Sequence, residues 1–150
     1  MSRVQLALNV SDLDSAVEFY SKLFNTRPAK LRPGYANFAV ADPPLKLVLI
    51  EGETGGSLNH LGVEVETTDL VQSAQRRLVA EGLATATEDG VACCYAVQDK
   101  VWVDDPDGAP WEIYTVLADV EMPAGELRVV VPQDAMCCSS APESAARCCD

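Results

Sequence analysis

Three separated polar residues and an adjacent pair of thiols are the parts of this 150-residue chain best suited to chemistry. Gln5, His60 and Glu112 offer an amide oxygen, an imidazole and a carboxylate, a donor set that suits a divalent first-row metal. Three such donors make a variant of the facial triad, with coordination positions left open, and iron(II) leads among the candidate ions. Each residue also has a bland reading. His60, the single histidine, fits a hydrogen-bonded structural residue. Gln5 fits a solvated strand face, and Glu112 fits a surface carboxylate beside the turn Asp105-Pro106-Asp107-Gly108.

The six cysteines fall as three neighbouring pairs, Cys93-Cys94, Cys137-Cys138 and Cys148-Cys149. Neighbours seldom bridge each other, because the ring across one peptide bond is strained. The chain shows no export signal, and its longest apolar stretch, residues 45–50, is interrupted by Lys46. Both observations read as a cytoplasmic, reducing location with free vicinal dithiols.

The elements that must position these groups form a weak internal repeat. Residues 4–9 alternate, with Val4, Leu6 and Leu8 on one strand face and Gln5, Ala7 and Asn9 on the other. Ser11 and Asp14 read as a capping box for a helix over about residues 12–24, whose stripe Leu13, Val17 and Tyr20 faces the core. Residues 35–40 alternate again and 45–50 read as a buried strand, giving β-α-β-β-β. The second half repeats the plan: residues 58–66 alternate, Leu70, Ala74 and Leu78 mark a helix that Gly82 ends, and three strand-like stretches follow.

Laying one half on the other sets Gln5 on His60, Asp12-Leu13 on Asp69-Leu70, Gly34 on Gly90 and Asp42-Pro43 on Asp105-Pro106. Gly34 to Pro43 is 9 positions and Gly90 to Pro106 is 16, so the second half carries an insertion, and Cys93 and Cys94 lie in it. The counterpart of Glu112 is then Leu49, or Val48 or Leu47 at a shift of one or two. None of them binds metal, which leaves three protein ligands and open positions. The expected fold is α+β: two βαβββ modules, about 2–52 and 57–117, closing a curved mixed sheet around a metal site. A domain over 1–118 is followed by a mobile, cysteine-containing tail over 119–150, in which Val129-Val130-Val131 is an optional strand.

With 23 acidic against 11 basic residues the net charge is -12. That charge disfavours nucleic acid and anionic membranes and points to small molecules or metals as partners.

The opening strand, Asp12-Leu13 before a helix ending Phe19-Tyr20, His60-Leu61-Gly62-Val63, and Asp105-Pro106-Asp107-Gly108 leading into Trp111-Glu112-Ile113-Tyr114 resemble the vicinal oxygen chelate superfamily of glyoxalases, extradiol dioxygenases and antibiotic-resistance proteins. Within it, residues 32–38, 44–49 and the run Ala92-Cys93-Cys94-Tyr95-Ala96 resemble the carbon-arsenic lyases and the related cadmium-induced proteins. The resemblance implies iron(II) held by Gln5, His60 and Glu112, and a trivalent organoarsenical bound by Cys93 and Cys94, the pair that also counts as catalytic. Most superfamily members carry histidine where Gln5 stands.

Thiol chemistry agrees with that implication. Trivalent arsenic is thiophilic, and a monoalkyl arsenical has two exchangeable positions for two thiolates while its carbon bond survives. Adjacent strand residues point to opposite faces, so the pair has to sit in a loop or bulge to chelate one atom. Two small buried hydrophobes, or a redox-sensing pair, are the other readings of Cys93-Cys94. Tyr95, Gln98, Lys100, Trp102 and Tyr114 are candidates for the pocket wall.

The leading reading is therefore a non-haem iron(II) dioxygenase acting on trivalent organoarsenicals with molecular oxygen. The rival is a soft-metal or arsenite sequestration protein without catalysis. A glyoxalase-like isomerase is disfavoured by the missing fourth ligand, and the oligomeric state is open, a homodimer included.

Overall fold

The structure is a computed structural model and describes residues 1–121. In chain order its elements are β1 (Arg3–Val10), α1 (Leu13–Leu23), β2 (Lys30–Arg32), β3 (Tyr35–Val40), β4 (Leu45–Glu51), β5 (Ser57–Glu64), α2 (Thr68–Ala80), β6 (Ala86–Cys93), β7 (Ala96–Asp104) and β8 (Pro110–Asp119). The expected βαβββ plan occurs twice, as one 8-stranded mixed sheet in the order β2-β3-β4-β1-β5-β8-β7-β6. The tail pairs Cys137-Cys138 and Cys148-Cys149, and Val129-Val130-Val131, lie outside the described residues.

Alternation along β1 decides which groups face the interior. Leu6 and Leu8 pack with Leu13, Phe38, Leu47 and Leu49 in a core between the sheet and α1. Phe38, Leu47 and Leu49 are almost inaccessible, and each such side chain contributes roughly 1.5–3 kcal/mol of burial free energy. Gln5 and Ala7 point to the other, concave face. The N-cap of α1 is Asp12, whose side chain accepts from Ser15 N, rather than the expected Ser11. In α2 the buried residues are Val71 and Leu78, and Leu70 is exposed. The helix is capped by Thr67; Leu78 is buried as expected, and in the first turn Val71 takes the inward place expected for Leu70.

The modules meet where β1 and β5 run antiparallel, with Gln5 opposite Gly62 and Ala7 opposite His60. Each of these strands takes its module's last strand as a parallel partner: Ala7 lies beside Val48 on β4, and Gly62 lies beside Glu112 on β8. With Gln5 matched to His60, Ala7 matches Gly62, so the counterpart of Glu112 is Val48 and not Leu49. Leu49 faces the α1 core instead. The shift leaves the first module without a fourth metal donor at that place.

Gly34 and Gly90 both have positive φ, yet they do different jobs. Gly34 lies in the two-residue turn between Arg32 and Tyr35, whereas Gly90 lies where the β6–β7 register shifts. The turn equivalent to Pro33-Gly34 is Cys94-Tyr95, between the paired residues Cys93 and Ala96. The insertion lengthens a hairpin and carries the thiols to its tip. The tip reaches the opposite edge of the sheet, where Tyr95 Oη donates to Pro33 O at 3.0 Å and the Tyr95 ring packs 5.3 Å from that of Tyr35. This contact closes the curl of the sheet.

Candidate functional site

Three strands bring the donor set together on the concave face. Gln5 on β1 and Glu112 on β8 flank Gly62 on β5, and His60, two residues from Gly62 on the same face, stands beside them. A Cβ on Gly62 would lie 2.9 Å from Glu112 Cγ and 3.5 Å from Gln5 Cβ. Glycine at this place is what lets the two long side chains lie side by side.

Gln5 Nε2 stands 3.0 Å from His60 Nε2 and donates to Glu112 Oε1 at 2.6 Å. His60 Nε2 and Glu112 Oε1 are 3.2 Å apart. All three residues are at most 5% exposed. Donors about 3 Å from one another are what bonds of about 2.1 Å at right angles to one small cation produce. In the present arrangement the amide nitrogen, with two hydrogens, bridges the imidazole and the carboxylate. Among the described residues no cluster of three or more histidine, cysteine, aspartate or glutamate side chains could hold an ion; beside His60 and Glu112 the third polar side chain is the amide of Gln5.

The surrounding shell sets the orientation of each donor. His60 Nδ1 is 2.7 Å from Asn59 Oδ1, and Asn59 donates in turn to Asn9 Oδ1 at 2.8 Å. An acceptor at Nδ1 holds a hydrogen there and turns the Nε2 edge of the ring toward the donor set. Lys100, 2% exposed, donates to Glu112 Oε2 at 2.8 Å, which leaves Oε1 for an ion. Burial works to raise the pKa of Glu112, but the adjacent His60 ring and the Lys100 ammonium hold it down, at about 2. The carboxylate is ionised at any physiological pH.

The thiols are presented by an unusual turn. Cys94 and Tyr95 have φ of 55° and 62°, the left-handed pair of a type I′ hairpin, a place that favours Asn and Gly. Non-glycine residues there store backbone strain of order 1 kcal/mol each. Cys93 ends its strand and Cys94 begins the turn, so the alternation is broken and the two Sγ atoms stand 3.1 Å apart. Both cysteines are free. A hydrogen bond from Cys94, helped against burial by the charge of Lys100, lowers Cys93 to about 7. Cys94 is pushed up, because it gives that hydrogen bond and is itself buried. The pair therefore loses its first proton from Cys93, and above about pH 7 it holds one proton between two sulfurs.

One cleft of about 430 Å³ is lined by all three donor residues and both cysteines. Gln98, Lys100 and Trp102 line it as well, and the Trp102 ring meets that of His60 edge-on at 5.4 Å. Gln98 contributes a buried carbonyl oxygen without a hydrogen-bond partner among the described residues. Tyr95 and Tyr114 do not line this cleft, contrary to expectation. The Tyr95 ring turns away onto Tyr35 to anchor the hairpin, and Tyr114, wholly buried, lies beneath the donor set with its hydroxyl on Gln5 Oε1.

Sequence reading passed over three contributors. Lys46, expected only as a break in an apolar strand, faces inward beside Gln5 and lines the cleft. Its signal was a charge in an otherwise buried run, with the spacing of Val48 and Ile50. Glu64 pairs with Arg3 at 3.1 Å and with Lys46 at 3.4 Å and has no local signature. Asn59, the partner of His60, is marked only by its place in the chain.

No helix among the described residues is long and apolar enough to cross a membrane. A protein of Thermomonospora curvata named trivalent organoarsenical cleaving enzyme is 58% identical over 141 residues, which cover 93% of this chain and 89% of that one. The cadmium-induced protein CadI of Mycobacterium tuberculosis is 64% identical over 122 residues, 81% of this chain and 80% of its own. Among solved structures, the homoprotocatechuate 2,3-dioxygenase of Brevibacterium fuscum superposes with a TM-score of 0.58 at 22% identity, over 79% of this chain and 38% of the larger enzyme. The Mn(II)-bound glyoxalase of Novosphingobium aromaticivorans gives a TM-score of 0.57 at 18% identity, over 84% of this chain and 44% of its own. These structures share the curled, duplicated fold. Residues 3–113 match a family description that spans both kinds of enzyme, and a match of that extent decides the family: the chain belongs to the Glyoxalase/Bleomycin resistance protein/Dioxygenase superfamily.

Proposed function

We propose that this protein cleaves the carbon–arsenic bond of trivalent organoarsenicals, methylarsenite and trivalent aromatic arsenicals among them, releasing arsenite and an oxidised carbon product. The observation that carries this reading is the single cleft shared by two thiols 3.1 Å apart and a three-donor cluster. The name of the Thermomonospora curvata relative supports the same substrate class.

In this reading Cys93 and Cys94 fix the arsenic. The Cys93 thiolate displaces one hydroxide from the arsenical, and the remaining thiol proton leaves with the second as water. Gln5, His60 and Glu112 would hold iron(II), which supplies the activation of molecular oxygen. Lys100 keeps Glu112 ionised and directed, Asn59 keeps the His60 lone pair free, and the hairpin tip holds the arsenic within one cleft of the donor set. The cytoplasm, where thiols stay reduced, is the fitting location. We assign the activity to residues 1–118 and an accessory part to the tail pairs Cys137-Cys138 and Cys148-Cys149.

A second reading, sequestration of soft ions without turnover, is favoured by the name of the mycobacterial relative, a cadmium-induced protein. One experiment separates the two. Purified protein with iron(II), oxygen and methylarsenite should release arsenite catalytically, and either Cys93→Ser or Cys94→Ser should abolish high-affinity capture of methylarsenite while metal content stays near normal. Stoichiometric capture with no arsenite release would leave sequestration as the function.

A further inference from the structure

Gln5 presents the wrong end of its amide for a metal. Its Nε2 faces His60 and Glu112, and its Oε1 accepts from Tyr114 Oη at 2.5 Å. In this orientation every hydrogen bond is made without an ion, because the amide's two N–H bonds stand where a cation would. The two ends of an amide are nearly isosteric, so turning the group over exchanges donor and acceptor without moving the chain. The carbonyl then faces the donor set and the N–H bonds face Tyr114.

That reversal needs a neighbour able to change role. A phenol both donates and accepts. Tyr114 Oη has a second partner, Glu64 Oε2, at 3.3 Å. With the amide reversed, Tyr114 accepts from Gln5 Nε2 and sends its own hydrogen to the Glu64 carboxylate. Glu64 is held in place by two bonds from Arg3, at 3.1 and 3.3 Å. In the reversed orientation one amide N–H has the phenol oxygen as its acceptor, and the phenol hydrogen keeps an acceptor in Glu64 Oε2. We propose that Tyr114, backed by Glu64, is the positioning residue that makes Gln5 competent as a metal ligand by reversing its hydrogen bond when the amide turns. The inference rests on the three-donor metal reading given above.

The test uses the full chain and Co(II) as the probe, with affinity read from the ligand-field absorption during titration. Wild-type protein should bind Co(II), and Tyr114→Phe should bind it about tenfold more weakly, the low end of the range for a lost partner of a metal ligand. In a Gln5→Glu background, where both ends of the side chain are oxygens and no reversal is needed, Tyr114→Phe should leave the affinity within about twofold. A second measurement needs no change at Tyr114: the tyrosine Raman doublet, which distinguishes a phenol that donates from one that accepts, should shift on Co(II) loading of the wild type and stay unchanged in Gln5→Glu. Absence of Co(II) uptake by the wild type would overturn the metal reading itself. Uptake by the wild type with an undiminished affinity in Tyr114→Phe, an equal loss in both backgrounds, or an unmoved doublet would overturn the role of Tyr114 alone.

Discussion

Beside Ala7 on the concave face of the first module lies Val48, and beside Gly62 at the equivalent place of the second lies Glu112. The first module's inner wall continues as an apolar cluster of Ala7, Tyr35, Val48 and Ile50, completed by Tyr95 from the other hairpin. The second module's wall is polar, with His60, Gln98, Lys100 and Glu112 all buried. The hairpin turns differ in the same sense. The first uses Pro33-Gly34, with the positive φ assigned to glycine; the second forces Cys94 and Tyr95 into that conformation. A duplicated scaffold has thus divided its labour unequally: the first half mainly packs and braces, though it contributes Gln5 and Lys46 to the cleft, and the second half holds the strained turn, the thiols and most of the buried polar groups. Buried polar groups are tolerated there because the rigid half supplies anchors such as Pro33 O and Tyr35.

The comparison breaks most severely if the second module is given the first module's residue. Glu112→Val should remove the counter-ion of the buried Lys100 and destabilise the fold by about 3–5 kcal/mol in a denaturant titration. The near-isosteric Glu112→Gln also removes the charge but keeps the volume and an acceptor for Lys100, so it should destabilise less than Glu112→Val, and it should lower Co(II) affinity by about 100-fold while arsenical capture by the thiols persists. An unchanged affinity in Glu112→Gln would take β8 out of the metal site.

Gly62→Ala copies Ala7 into its counterpart and should have a smaller effect. The added methyl meets Glu112 Cγ at 2.9 Å, so Glu112 has to shift, at an overpacking cost of about 1–3 kcal/mol. Metal affinity should fall by about tenfold, and the combination Gly62→Ala with Glu112→Asp should regain part of the stability because the shorter side chain vacates the contact. Wild-type metal binding in Gly62→Ala would show that the close approach has no part in the site.

The smallest effect is in pH. Pro33-Gly34 holds nothing that titrates, whereas the pKa of Cys93 is lowered to about 7. Lowering a thiol's pKa extends its thiolate form to lower pH, so capture is fastest above about 7 and declines as pH falls through that value. The rate of methylarsenite capture should drop by about tenfold between pH 8 and pH 6, in proportion to the thiolate fraction. A profile with its midpoint near the ordinary thiol value, about 8.5, would mean that Cys94 and Lys100 do not activate Cys93.

Much of this molecule is legible from local pattern. The alternation of residues 4–9, the helical spacing of Leu13, Val17 and Tyr20, and the ordered repeat lead to the two βαβββ modules found in the structure. The repeat also led to the pairing of Gln5 with His60, because equivalent strands of a duplicated unit present equivalent faces. Less accessible were the N-cap of α1, the burial of Val71 in place of Leu70, and the destinations of Tyr95 and Tyr114. These depend on an offset of one residue or on a partner far away in the chain. Tyr95 reaches Pro33, 62 positions away, and Tyr114 reaches Gln5 across 109.

The sequence by itself determined the element order, the inward-facing set on β1, the adjacency of the two thiols and the types of donor available. These follow from periods of two and 3.6 residues and from side-chain chemistry, which are properties of short segments. Only the tertiary structure decided that Val48 and not Leu49 answers Glu112, that Gly62 makes room between two ligand candidates, and that Lys100 shares one cleft with the carboxylate and the thiols. Lateral register across a sheet is set by which strands pair, and a slip of one residue sends a side chain to the opposite face. A charge such as Lys46 becomes interior only once the strands beside it curl and close.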